Sequence, residues 1–104
     1  MATLLAAAAS GTGTGKNLPE AMLYRVYVTW YGAGTISAGQ VILETALSEG
    51  YTGTWAVLDT FNYLSASGVV TGYYYGPLAA VRARIATPVS GGTVAVELIP
   101  LGEE

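Results

Sequence analysis

The sequence contains neither cysteine nor histidine, and only four of its 104 residues are basic and seven acidic. Without cysteine, the fold can have no disulfide framework and no thiolate metal site. Without histidine, it lacks the side chain most often used for acid–base catalysis at neutral pH. We therefore do not expect an enzyme, and we expect neither a cofactor nor a bound metal.

Charge is sparse as well as unbalanced. Charged residues make up 11% of the chain, against about 25% in an ordinary soluble domain, so uncharged side chains must cover most of the surface. The net charge is −3 and the basic residues are scattered, which argues against nucleic-acid binding through phosphate contacts. No apolar run approaches the roughly 18 residues of a membrane helix, so we expect no membrane partner. Such a surface suits contact with another protein.

What the chain does contain is a series of short runs rich in β-branched and aromatic residues, several of them alternating with period two. The runs are residues 22–31, 40–47, 55–61, 69–75, 79–86 and 93–98. Turn signals recur about every ten residues, as in antiparallel sandwiches and small barrels. We predict an all-β antiparallel β-sandwich of six to seven or eight short strands, either jelly-roll or immunoglobulin-like. A helix is the alternative for residues 40–47, where we favour a strand.

The N-terminal part differs in composition from the rest. Residues 1–17 combine an Ala- and Leu-rich start with a Gly- and Thr-rich stretch of hinge-like composition. We predict that they form an N-terminal arm and hinge, and that residues 18–104 form the sandwich domain. The start is short for a signal peptide and lacks its basic region. The Gly-rich stretch does not match a phosphate-binding loop, because Ser10 and Asn17 stand where that motif needs other residues.

The end of the sequence predicts a hairpin. The run that contains Arg82 and Arg84 should pair with residues 93–98 through a loop over residues 87–92. In the expected register Arg82 lies opposite Glu97, where the two charges attract. Both arginines alternate with apolar residues and therefore face outward.

Aromatic residues supply the candidate binding features. In the run Tyr73, Tyr74 and Tyr75, alternation places the first and third on one face and the second on the other. An exposed tyrosine here suits a protein interface or stacking on a sugar, although plain strand propensity also explains it. A sugar-binding surface would use Tyr73, Tyr75 or Trp30, whereas Trp55 is predicted to anchor the core.

Several pieces of the second half form a pattern together. They are Gly53-Thr54-Trp55, then Gly76-Pro77, then Val81-Arg82-Ala83-Arg84-Ile85, and finally Gly91-Gly92-Thr93-Val94-Ala95-Val96-Glu97-Leu98. This pattern resembles small β-sandwich structural proteins of tailed bacteriophages, in which a tryptophan strand, an arginine-bearing strand and a final Gly-Gly-Thr-Val strand recur. The resemblance covers residues 51–101 and includes no catalytic residue.

The resemblance implies a virion structural protein that is made in the host cytoplasm and carried on the capsid surface as a decoration (cement) protein. Its partners would be the major capsid protein and copies of itself, with a trimer as one expected arrangement. The alternatives are a carbohydrate- or receptor-binding module and a tail or connector component. The arm, the tyrosine run and the outward arginines supply the candidate interface residues, which are Leu4, Leu5, Tyr73, Tyr75, Arg82 and Arg84.

Overall fold

A computed structural model describes residues 2–13, 15–17, 23–32, 36–48, 50–63, 69–75 and 79–101. Every regular element in these residues is a β-strand, and the strands form two antiparallel sheets that pack together. The predicted all-β sandwich is thus confirmed. The described residues contain no helix of the length and apolarity needed to cross a membrane. Two of the expected turn signals, Ser65-Ala66-Ser67-Gly68 and Gly76-Pro77, lie outside the described residues.

The described strands, in chain order, are β1 (Ala2–Ala8), β2 (Gly11–Thr12), β3 (Lys16–Asn17), β4 (Leu23–Tyr31), β5 (Ala38–Ala46), β6 (Ala56–Asn62), β7 (Val69–Tyr75), β8 (Ala80–Ser90) and β9 (Thr93–Leu101). The first sheet has the order β1-β9-β4-β7. The second has the order β2-β8-β5-β6, and β3 also pairs with β8. The run over residues 40–47 is therefore in a strand, as favoured from its sequence.

The strand pairs are nested along the chain. β1 pairs with β9, β2 and β3 pair with β8, β4 pairs with β7, and β5 pairs with β6. The chain thus resembles one long hairpin that has been rolled into two sheets, with β2 and β3 sharing one strand position. This arrangement of eight strand positions is the jelly roll, one of the two topologies that the sequence left open.

Alternation along the central strands builds the core between the sheets. On β4, the buried side chains are every second residue from Tyr24 to Trp30, and the residues between them face outward. On β9, Val94, Val96 and Leu98 are buried beside them, and β5 contributes Val41 and Leu43 from the second sheet. The period-two alternation expected from the sequence is confirmed at these positions of β4 and β5.

The predicted hairpin at the end of the chain is wrong. β8 lies in the second sheet and β9 in the first, so the chain crosses between the sheets at Gly91 and Gly92. Gly91 has a φ of 91°, a backbone conformation that glycine adopts readily. A Cβ at Gly92 would collide with the carbonyl oxygen of Tyr31. The two glycines therefore permit a close crossing between sheets.

The segment predicted to be an arm is part of the sandwich. β1 pairs with β9 from Ala2–Leu98 to Ala8–Val94, while β2 and β3 pair with β8. Leu4 and Leu5 are only 1% and 7% exposed. Burial of two leucines against the core is more favourable than their exposure on an arm. The segment consequently passes from one sheet to the other and covers an edge of each within its own chain.

Leu4 tests this placement. Leu4→Ala removes a fully buried side chain and should lower the free energy of unfolding by about 2–5 kcal/mol in a urea titration. Thr3→Ala, at an exposed position of the same strand, should change it by less than about 0.5 kcal/mol. Equal stability of the two variants would contradict the inclusion of β1 in the core.

Candidate functional site

Two groups of charged and aromatic side chains lie on the outer faces of the sandwich. The tyrosine–arginine face consists of Arg25, Tyr27 and Tyr73 on the first sheet. The arginine–tryptophan cluster consists of Glu44, Trp55, Arg82 and Arg84 on the second sheet. The arginines of the arginine–tryptophan cluster form ion pairs with a carboxylate, which suits a structural role. The arginine of the tyrosine–arginine face contacts aromatic rings, which suits a binding role.

Glu44 is the centre of the arginine–tryptophan cluster. β5 and β8 pair so that Glu44 lies directly opposite Arg82, with Arg84 one outward position further along β8. Arg82 Nε donates to Glu44 Oε1 at 2.8 Å, and Arg84 Nε donates to Oε2 at 3.2 Å. The glutamate is only 5% exposed, whereas both arginines are partly exposed. Arg82 therefore pairs with Glu44, and the expected pairing with Glu97 is wrong because β9 belongs to the other sheet.

Trp55 belongs to this cluster and lies outside the core. The guanidinium carbon of Arg82 is 4.5 Å from the centroid of the Trp55 ring, within the range of a cation–π contact. The indole Nε1 donates to the carbonyl oxygen of Tyr51 at 3.0 Å. Trp55 is buried, but it is absent from the cluster of side chains that pack between the sheets. Its predicted role as a core anchor is wrong because Arg82, on the outer side of β8, covers its ring.

The tyrosine–arginine face is built by β4 and β7. Arg25 and Tyr73 are directly opposite each other across these strands, and Tyr27 is the next outward residue on β4. The guanidinium carbon of Arg25 lies 4.8 Å from the centroid of Tyr73 and 5.3 Å from that of Tyr27. Tyr73 remains 52% exposed. The two rings thus hold the cation at the surface of the sheet.

Arg25 differs from the other two arginines in its partners. Within the described part of the chain, ion pairs join only Arg82 and Arg84 to Glu44. The Nε atom of Arg25 is buried and has no acceptor among these residues. Its charge is held by aromatic rings and is not neutralised by a carboxylate there. A carboxylate or a carbonyl of another molecule is the group that this guanidinium would attract.

The predicted interface residues are divided among different environments. Leu4 and Leu5 are in the core, so they are not available to another molecule in this fold. Arg82 and Arg84 face outward as expected but are engaged by Glu44, whereas Tyr73 is exposed. Tyr75 occupies the last position of β7, and its side chain lies outside the described residues.

Some residues took a different role from the one that the sequence indicated. Trp30, a candidate sugar contact, is buried with its ring edge-on to Tyr63 at 5.4 Å between centroids. Sequence reasoning did not propose Arg25 and Tyr27 as binding residues. Outward alternation on β4 was a signal for both, but their contact with Tyr73 required the pairing of β4 with β7.

A partly buried hydrogen bond joins the two sheets at the side where β6 and β7 lie. Tyr74 OH donates to Asp59 Oδ2 at 2.8 Å, and the backbone N–H of Thr60 donates to Oδ1 at 2.8 Å. Burial, the hydrogen bond to Asp59 and the charge of that carboxylate, in that order, raise the pKa of Tyr74 well above its usual range. The phenol therefore stays protonated and continues to donate in alkaline solution.

The described residues contain no group of three or more acidic, histidine or cysteine side chains that could hold a metal ion. Comparisons of the chain with protein-family models, with curated proteins and with solved structures found no match. The features of the described residues that bear on function are therefore the jelly-roll fold and the two outer faces.

Glu44→Gln tests the structural role of the arginine–tryptophan cluster. The change keeps the shape of the side chain but removes the charge that two guanidinium groups share. We expect the free energy of unfolding to fall by about 1–3 kcal/mol, as measured by urea titration. Glu97→Gln is the matched control, because the described residues place no cation in an ion pair with it, and its effect should stay below about 1 kcal/mol. Similar losses in both variants would contradict the role of Glu44.

Tyr74 predicts a pH dependence of stability. In the unfolded chain its phenol ionises at a pKa of about 10, whereas in the folded protein the pKa is higher. The contribution of this group is thus fully present below about pH 10 and is lost as the pH rises above it, at up to about 1.4 kcal/mol per pH unit. Unfolding free energies measured from neutral to alkaline pH should fall less steeply in Tyr74→Phe. Tyr31→Phe, at an exposed ring, should keep the slope of the unmodified protein, and an unchanged slope in Tyr74→Phe would refute the prediction.

Proposed function

We propose that this protein is a virion structural protein that binds the outer surface of a phage head as a decoration protein and stabilises the shell. The resemblance of residues 51–101 to phage sandwich proteins supports this assignment. The jelly roll supports it as an analogy, because the fold recurs in viral capsid domains as well as in lectins. A fold by itself does not define a function, whereas the chemistry of a surface indicates what that surface can bind.

The tyrosine–arginine face is the observation that carries the proposal. Tyrosine and arginine are enriched at protein interfaces and among the residues that contribute most to binding. Arg25 already contacts two rings, so binding would immobilise less of a flexible side chain. Its charge is also free of a carboxylate partner within the described residues. This face therefore fits a partner surface that presents an acidic side chain.

The stabilising action requires binding alone and no reaction. Each copy contributes a modest interaction with the major capsid protein. On a shell that carries many copies, release is slow through multivalency, because a copy that loses one contact is kept close to its site by the remaining contacts. This mode of action needs neither a cofactor nor a catalytic residue. It agrees with a sequence that has no histidine and no cysteine. The location that follows is the capsid surface of the virion.

Tyr73→Ala tests the face on particles. Particles from the source of this chain are analysed by quantitative mass spectrometry, then stripped of the protein and incubated with purified variants before sedimentation. We expect a high copy number on heads, and we expect Tyr73→Ala to weaken retention by about tenfold or more, which corresponds to about 1.4 kcal/mol or more. Loss of the ring removes both contact area and one of the two rings that contact Arg25.

Tyr51→Ala is the matched control for this experiment. Tyr51 is a comparably exposed tyrosine, at 41%, but its ring contacts Trp55 and not Arg25. It should bind particles as the unmodified protein does. Equal retention of the Tyr73 and Tyr51 variants would refute the face, and absence of the protein from particles would refute the virion role. A low copy number confined to rings would instead identify a tail or connector component.

Carbohydrate or receptor binding is the second candidate, and the half-exposed ring of Tyr73 favours it. An aromatic ring stacks on a sugar, and Arg25 beside it could donate to hydroxyl groups. Trp30 no longer contributes to this candidate because it is buried. A glycan array separates the two functions: a signal that Tyr73→Ala abolishes favours sugar binding, and silence together with binding to particles favours decoration.

A further inference from the structure

The described strands leave four edges in the two sheets, and three of these edges carry features that oppose pairing with another strand. β1 is interrupted by two register shifts, and β2 and β3 are two residues long each. β6 carries the charged Asp59 and has a register shift against β5. Short length, irregularity and charge are the devices by which natural sheets protect their edges.

β7 carries none of these features. Its seven residues are valine, threonine, glycine and tyrosine, with no charge and no proline. It pairs with β4 at seven consecutive positions without a register shift, so its backbone is regular. No other strand in the described ranges pairs with its far side. The unpaired backbone N–H and C=O groups along that side form a template for one more strand.

We infer that β7 pairs with β7 of a second copy of this chain, antiparallel and about a two-fold axis at Gly72. The choice of partner follows from the comparison of edges, because β7 is the regular and uncharged edge among the described strands, and β7 of a second copy carries none of the features by which the other edges oppose pairing. A two-fold interface is also self-complementary, since the same surface of both copies takes part. The result is a symmetric dimer, which differs from the trimer expected from the resemblance.

The register about Gly72 gives favourable neighbours. Thr71 lies opposite Tyr73 of the second copy, and Val70 lies opposite Tyr74, so β-branched residues meet aromatic ones on both faces. The two Arg25 residues lie on the next strands, which are three strand spacings or about 14 Å apart, and they are also offset by two residues along these strands. This separation exceeds the screening length of about 8 Å at physiological ionic strength, so their repulsion is weak.

Such a dimer would join the two first sheets into one continuous sheet. Antiparallel pairing about a two-fold axis keeps the same face of both sheets on one side. The two tyrosine–arginine faces would then lie next to each other and could bind a shell at two points at once. This last consequence rests on the proposed function, whereas the pairing of β7 does not.

Thr71→Lys tests the pairing, and Thr3→Lys is its matched control. Thr71 and Thr3 are both exposed and lie at opposite edges of the first sheet. One row of paired residues connects them, in the order Thr71, Tyr27, Glu97 and Thr3. Analytical ultracentrifugation at micromolar concentrations should find a dimer in the unmodified protein and in Thr3→Lys. Thr71→Lys, which introduces a lysine on both copies at the new interface, should raise the dimer dissociation constant by at least about tenfold. Circular dichroism checks that both variants remain folded.

Cysteine cross-linking tests the register, because the chain has no cysteine of its own. In a mixture of the Thr71→Cys and Tyr73→Cys variants, residue 71 of one copy lies opposite residue 73 of the other copy in a mixed dimer. Oxidation of this mixture should therefore form a disulfide between the copies. Thr71→Cys alone should cross-link much less, since its two copies lie diagonally. A monomer at all concentrations, a trimer, equal effects of the two lysine variants, or equal cross-linking with and without mixing would each overturn the inference. A dimer that fails to bind particles would refute only the shell-binding role.

Discussion

The structure depends on the burial of alternating apolar side chains between two sheets. Every second residue of β4 and β9 points into this space, and the second sheet closes it with Val41, Leu43 and the apolar residues of β8. Because the same alternation directs the remaining side chains to solvent, it also determines which residues can form the outer faces. Arg25 faces outward because its chain neighbours Tyr24 and Val26 are buried, and the exposed Tyr73 alternates in the same way with the half-buried Gly72 and Tyr74. The candidate binding surface and the core are therefore two products of one pattern.

The sequence predicted the local features of this fold better than its long-range ones. Strand positions and inward faces were visible because period two is a property of consecutive residues, as along β4. The path at the end of the chain was not visible, since Gly91 and Gly92 suit a tight hairpin and a crossing between sheets equally well. Composition also misled at the start of the chain, where Ala- and Gly-rich surroundings concealed the burial of Leu4. The contact of Arg25 with Tyr73 depended on strand pairing, which periodicity does not reveal.

The three described arginines of the sandwich show how context determines the use of a charged residue. Arg82 and Arg84 share one buried carboxylate, so they hold β5 and β8 together and leave little freedom for another partner. Arg25 is held by rings, which position the cation but do not neutralise it. The sequence suggested the opposite assignment, with the arginine pair at the interface. The difference arises from Glu44, which is distant from both arginines in the chain but adjacent to them in the second sheet.

The nested pairing has a consequence for how the protein is made. β1 can reach its place only beside β9, the last described strand of the sheet, and the central position of β4 is likewise incomplete until β9 has arrived. During synthesis the apolar faces of β1 and β4 therefore stay exposed until β9 has been translated, because β9 is the strand that pairs with both. Contacts between residues so distant in sequence also slow folding after release. Production of this protein in quantity thus places a demand on the chaperones of the cell that makes it.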